Sequence, residues 1–186
     1  MDRIGAAQIS AFFDAGILDL RDIPAEPPPH LNDQQHTVLE CVRTGKPKVG
    51  AGLKAALEVL RWPAYYLDFE TVKTAIPLYA DIKPHAQVVT QYSIHRCRSL
   101  GQEDAHFEYL ADPKRDCQRE LAERLIADLG DAGDIIVYHS FEHTQIRELT
   151  RRFPDLAQPL SAIDTRLFDL LRVVRAHYYH PAFHTS

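Results

Sequence analysis

Cysteine is scarce in this sequence: Cys41, Cys97 and Cys117 are all there is, no two of them form a CxxC pair, and any pairing leaves one over. Neither a disulfide framework nor a zinc ribbon is supported, and a reducing, cytoplasmic setting is the expectation. Long apolar runs are missing too. No stretch approaches the roughly 18 apolar residues of a membrane span, and the start, MDRIGAAQISAFF, puts Asp2 where a secretory signal carries positive charge. No membrane association is expected. Positive charge is also in short supply, with 21 Lys and Arg against 26 Asp and Glu and a formal net charge of -5. Gripping nucleic acid through bulk positive charge is therefore disfavoured, although a local basic patch is compatible. Histidine is the exception, at 10 residues. The spacing of His143, His177, His180 and His184 fits no fixed zinc pattern.

What is present is enough hydrophobic sequence, 45% of 186 residues, for one ordinary domain with a small appendage. Between Ile4 and Leu18, Ile9, Phe12, Phe13, Ile17 and Leu18 recur at helical spacing until Gly16 weakens the end. The proline-rich RDIPAEPPPHLND then reads as an extended linker. Two helical pieces follow, Gln34 to Thr44 and Ala51 to Leu60, split by TGKPKVGAG. Residues 1–60 are thus a helical lead-in and residues 61–186 the main domain.

In that domain Ala64 to Asp68 reads as a strand, followed by an irregular, turn-rich segment through Pro84. Val88 to Cys97 and Ala105 to Leu110 read as partner strands joined by a turn at Gly101. Asp112 and Pro113 resemble a helix start, with Leu121, Leu125, Ile126 and Leu129 on one face and Gly130 at the end. DIIVYH, residues 134–139, is an apolar run of strand length, and Ser140 is placed to cap a helix reaching Arg152. Beyond Pro154, Ile163, Leu167, Leu170, Leu171 and Val174 predict one more helix, Ala162 to Ala176. The fold class is α/β: a three-strand meander plus a further parallel strand, in a mixed sheet flanked by helices.

The residues that carry chemistry are carboxylates. In AYYLDFET, Asp68 and Glu70 project to the same side if the strand continues through Phe69. Two adjacent carboxylates repel, and a divalent cation relieves the repulsion; hard oxygen donors select Mg²⁺ or Mn²⁺. A solvated pair at a turn is the plainer account of the same spacing. Glu142, in the first turn of the helix after DIIVYH, suits the helix dipole. It also shares the inward stripe of Ile146, Leu149 and Phe153, where a charge needs a partner. Asp169 lies between Phe168 and Leu170 inside the last predicted helix, with Arg166, Arg172 and Arg175 as alternative ion-pair partners. Asp164 reads as a cap or a solvated acid.

The order LDFET, then VYHSFEHTQIREL, then RLFDLLRVVRAHYYHPAF resembles the bacterial family of unknown function numbered 2779, from about Phe13 to the end. That resemblance implies a ribonuclease H-like fold of the DEDD exonuclease type. It makes Asp68 and Glu70 the first exonuclease motif and puts Glu142 where the second motif usually has aspartate. Asp169 matches a position that is usually acidic. No Tyr or His stands four or five residues before Asp164 or Asp169, as a third motif requires, so the domain is expected to stop short of its last ligand. The implied activity is two-metal, 3'-5' exonucleolytic hydrolysis of single-stranded DNA or RNA. Asp68, Glu70 and Glu142 would be catalytic, and the same three with Asp169 would hold the ions. A RecB-like nuclease domain is the implied partner in a longer protein, and a catalytically incomplete binding or docking module is the rival reading.

Overall fold

The alternation that begins at Ala64 runs twice as far as its first five residues. In the computed structural model, which describes residues 4–24, 26, 31–79 and 81–185, the chain divides into two compact units. One comprises Met1–Leu57 with Val173–Ser186, the other Glu58–Arg172.

In the first unit, α1 (Ala6–Asp14) and α2 (Asp33–Thr44) share a small core of Phe12, Ile23, Leu31 and Leu39. Of the apolar residues expected to face inward, Ile9, Phe13 and Leu18 are exposed. The helix stops at Asp14, so the later residues leave its stripe. α2 is held at its start by a reciprocal cap: the Gln35 N–H donates to Asn32 Oδ1 at 2.8 Å, and the Asn32 N–H donates to Gln35 Oε1 at 3.0 Å. Gly45 ends it in the left-handed conformation, φ 64°. The short strand β1 (Lys48–Val49) pairs antiparallel with Tyr178–Tyr179, and α3 (Leu53–Glu58) is shorter than the predicted Ala51 to Leu60. The proline run, residues 27–29, lies outside the described residues.

The second unit is a mixed α/β domain built on a five-stranded sheet of order β4-β3-β2-β5-β6. β2 (Ala64–Lys73), β3 (Gln87–Ser99) and β4 (Gln102–Leu110) form the antiparallel meander. Gly101, at φ 74°, makes the β3–β4 turn. β5 (Ile135–Val137) then pairs parallel to β2 and is buried throughout, as expected for a short run covered on both faces.

Two expectations fail here. The helix announced by Asp112 and Pro113 starts only at Gln118, as α4 (Gln118–Leu129). The Asp112 carboxylate instead accepts from the Lys114 N–H at 2.9 Å, and Asp116 accepts from Gln118 N–H at 3.0 Å, so two successive turns come before the helix. The predicted helix Ala162 to Ala176 is broken in three: α6 (Ala157–Thr165), a strand β6 (Leu167–Asp169), and α7 (Leu170–His177). β6 pairs parallel to β5, Ile135 with Leu167 and Val137 with Asp169. The sheet therefore has two added parallel strands rather than one.

α4, α5 (Phe141–Arg152) and α6 bury Leu121, Leu125, Leu129, Ile146, Leu149, Leu160 and Ile163. These pack in one core with Tyr65, Leu67, Phe69 and Val137 from the sheet. Arg166, 9% exposed, ties the layers together by donating to the carbonyls of Leu129, Gly130, Ala132 and Gly133 at 2.5 to 3.1 Å. No helix among the described residues is long and apolar enough to cross a membrane.

Candidate functional site

β2 is the strand from which the site grows. Tyr65, Leu67 and Phe69 are buried while Tyr66, Asp68 and Glu70 are exposed, so the two acids share one face of the sheet. Asp68 lies opposite Ser93 and Glu70 opposite Gln91 on β3, and a bulge follows between Glu70 and Thr71. Because β2, β5 and β6 are parallel, their C-terminal ends lie along one edge, where open α/β sheets collect functional groups.

Glu142 enters from the next strand along. β5 ends at Val137, the exposed Tyr138, His139 and Ser140 turn the chain, and α5 begins at Phe141. Ser140 makes no side-chain cap; its carbonyl accepts from Thr144 N–H at 3.2 Å. Glu142 is only 5% exposed, and its Oε2 is buried with no hydrogen-bond partner among the described residues. Burial pushes its carboxyl above the ordinary glutamate range. Its own backbone N–H and the charge of His139 oppose that rise, while the negative charges of Asp68 and Asp169 add to it.

Asp169 is the C-terminal residue of β6, not a residue inside a helix. Its Oδ1 accepts from Arg172 N–H at 3.0 Å, so it caps the helix that follows. None of the three arginines considered as partners makes a described ion pair with it, and Arg166 is saturated by backbone carbonyls. Asp164 is neither a cap nor solvated: it pairs with His143 and, at 3.4 Å, with Arg147.

Alternation along β6 places Asp169 with Leu167 on the helix-covered face, the face of Val137 and Leu67. Asp68 and Glu70 stand on the other. The acids straddle the sheet edge, and among the described residues no three His, Cys, Asp or Glu side chains are grouped so as to hold a metal ion. The structure nonetheless brings Asp68 and Asp169 within electrostatic reach of Glu142. The basic residues Arg96 and Arg98 on β3 share the one Asp104 carboxylate, at 2.9 and 2.6 Å.

The buried amides Gln118 and Gln145 were missed by sequence reasoning. The only signal was position: Gln145 lies next to Ile146 and four residues before Leu149, beside the inward stripe.

Sheet, helices and acids together define a mixed α/β domain whose carboxylates stand on both faces near the ends of its parallel strands, without forming a grouped cluster among the described residues. The chain belongs to the family described as Domain of unknown function (DUF2779), which matches residues 65–186, more than half its length and all four acids. No curated protein and no solved structure matched it.

Proposed function

We propose that this domain is a ribonuclease H-like, divalent-metal-dependent exonuclease that hydrolyses nucleic-acid phosphodiesters with Mg²⁺ or Mn²⁺. The observation that carries this reading is Glu142: a buried carboxylate with one oxygen lacking any partner, facing the charges of Asp68 and Asp169. An orphaned buried acceptor among like charges costs free energy that a bound cation returns. The donors suit the group in kind, since Asp68, Glu70, Glu142 and Asp169 all offer hard oxygen ligands.

When bound, divalent cations lower the pKa of attacking water and offset charge on the leaving oxygen. Asp68 and Glu70 from the exposed face and Glu142 and Asp169 from the helix side would hold the ions, which requires these side chains to draw together, since among the described residues no three are grouped so as to hold one. His139, exposed just ahead of the helix that carries Glu142, would take the proton from water only in its neutral form; a base supplied from outside this chain is the alternative.

The test is twofold. Mn²⁺ titrated into the protein should raise its melting temperature, and Asp68→Ala and Glu142→Gln should abolish that rise. Single-stranded DNA or RNA with a labelled end should be shortened with Mg²⁺ by wild type and not by the variants. A wild type that gains no thermal stability from Mn²⁺ and leaves both substrates intact overturns the reading.

The straddled arrangement of the acids favours one rival, a non-catalytic nucleic-acid-binding or docking module for a larger, RecB-like nuclease. Binding of single-stranded nucleic acid without any hydrolysis, unchanged in EDTA, would be its signature.

A further inference from the structure

A hollow of ≈ 400 Å³ opens at the end of the sheet away from the acids, lined by Trp62, Pro63, Arg96, Arg98 and Asp104. All five residues lie in the second unit. Trp62 and Pro63 lead into β2, Arg96 and Arg98 stand near the end of β3, and Asp104 lies near the start of β4.

Trp62 is the only tryptophan in the chain. Indole side chains are on average highly buried, yet this one is 37% exposed, although the buried Ala64 and Tyr65 follow directly after Pro63. A large planar ring left at the rim of a hollow presents a stacking face.

The opposite wall is cationic. Arg96 donates through Nε and Nη2 to the two oxygens of Asp104, at 3.0 and 2.9 Å. Arg98 donates only through Nε, at 2.6 Å, and its Nη1 and Nη2 make no hydrogen bond among the described residues. Two guanidinium groups against one carboxylate leave the wall with one positive charge in excess. Neighbouring acids do not cancel it. Asp134 is taken up by Arg61 at 2.6 Å, and Glu103, opposite Cys97, faces the other side of the sheet with His95, its partner at 2.7 Å. Because Asp104 holds Arg98 at Nε, the outer edge of that guanidinium is fixed in position to give two parallel bonds to an anionic group such as phosphate.

An anion that carries planar rings matches both walls. We infer that this hollow is an anchoring subsite for single-stranded nucleic acid, with one base stacked on Trp62 and a phosphate held by the free edge of Arg98. The choice of nucleic acid over an acidic peptide rests on the nucleic-acid reading above. Asp68 is six residues beyond Trp62, at most about 20 Å at the rise of a strand. A strand anchored in the hollow covers that distance in about six stacked nucleotides. The stack reads no sequence, because every base has a π-face.

The single tryptophan makes the site directly readable. Titration of the full chain in EDTA at low salt with an oligothymidylate of about 12 nucleotides, twice that span, should quench Trp62 fluorescence saturably. Arg98→Ala changes a side chain that is 75% exposed; it should weaken binding roughly 10-fold and flatten the slope of log affinity against log salt by about 0.7. Measured by anisotropy of a labelled strand, Trp62→Ala should lose roughly 10-fold and Trp62→Phe less, because a phenyl ring still stacks. Fluorescence unmoved by the strand overturns the inference. So does equal quenching by poly-glutamate of matched charge, which makes the hollow a site for acidic peptide. A folded Arg98→Ala protein with undiminished affinity and unchanged slope overturns it as well. No metal is needed for the quenching, so its absence leaves the hydrolysis test intact, and absence of hydrolysis leaves the quenching test intact.

Discussion

Arg166 and Glu142 are the two buried charged side chains that differ most in how they are treated. Both are nearly inaccessible, at 9% and 5% exposure. Arg166 donates to four backbone carbonyls and lies over the Tyr65 ring at 5.6 Å. Glu142 has an oxygen with nothing to accept from among the described residues. Burial disfavours the charged form of each, lowering the arginine's pKa and raising the glutamate's. The arginine's burial is offset by hydrogen bonds that close the loop ends of α4 and β5, so its role is structural. The glutamate's is offset only in part, by its own backbone N–H and the charge of His139, which is why the proposed metal site is built on it.

The contrast can be broken most forcefully at the arginine. Arg166→Leu strands four carbonyls at once, and a stability loss on the order of 3 kcal/mol or more is expected from the urea midpoint. A loss below about 1 kcal/mol would put Arg166 on the same footing as an ordinary surface residue.

Glu142→Gln should act in the opposite direction. In EDTA at neutral pH the uncharged amide sheds the cost of a buried carboxylate, and a gain of about 1–2 kcal/mol is expected. The sign follows from proton uptake. Between the ordinary glutamate range and its raised folded value, Glu142 holds more proton in the folded than in the unfolded state. Wild-type stability is therefore full below that window and declines as pH rises through it. The difference between variant and wild type should grow with pH across the window and then level off. A difference that stays flat would remove the buried charge from the account.

The smallest effect belongs to Asp68→Asn. Removing a neighbouring negative charge lets Glu142 ionise more readily, so the pH window over which stability declines should move toward lower pH while the folded state is otherwise unchanged. Thermal melts at several pH values, with and without EDTA, separate this shift from metal loss. An unmoved window would mean that Asp68 and Glu142 do not act on one another.

Much of the sheet was legible because strand alternation is a local signal. The apolar run Ala64 to Leu67 announces β2, and strand geometry puts Asp68 and Glu70 on one side once the strand continues through Phe69, as it does. The strand was read five residues short because the acids end its apolar run, and beyond the bulge Thr71, Val72 and Lys73 lose the alternation as well. The last helix was misread for a different reason. Leu167, Leu170, Leu171 and Val174 fit helical spacing, and a three-residue strand is too short to show a period of its own. Only the open edge of β5 makes Leu167–Asp169 extended. That error moved Asp169 from a helix interior to a strand end, which is where its relation to Glu142 comes from.

The residues alone therefore determined which chemistry is available: hard carboxylate donors, few cysteines, and acids delivered to the ends of apolar segments. They also determined each short element whose periodicity repeats at least twice. The tertiary structure decided which acids meet. Parallel pairing of β2, β5 and β6 gathers Asp68, Glu142 and Asp169 along one edge, and the side-to-side alternation of each strand sets them on opposite faces of it. Neither outcome is local, because strand order and register depend on partners far apart in the chain, and so does the burial that leaves Glu142 one bond short.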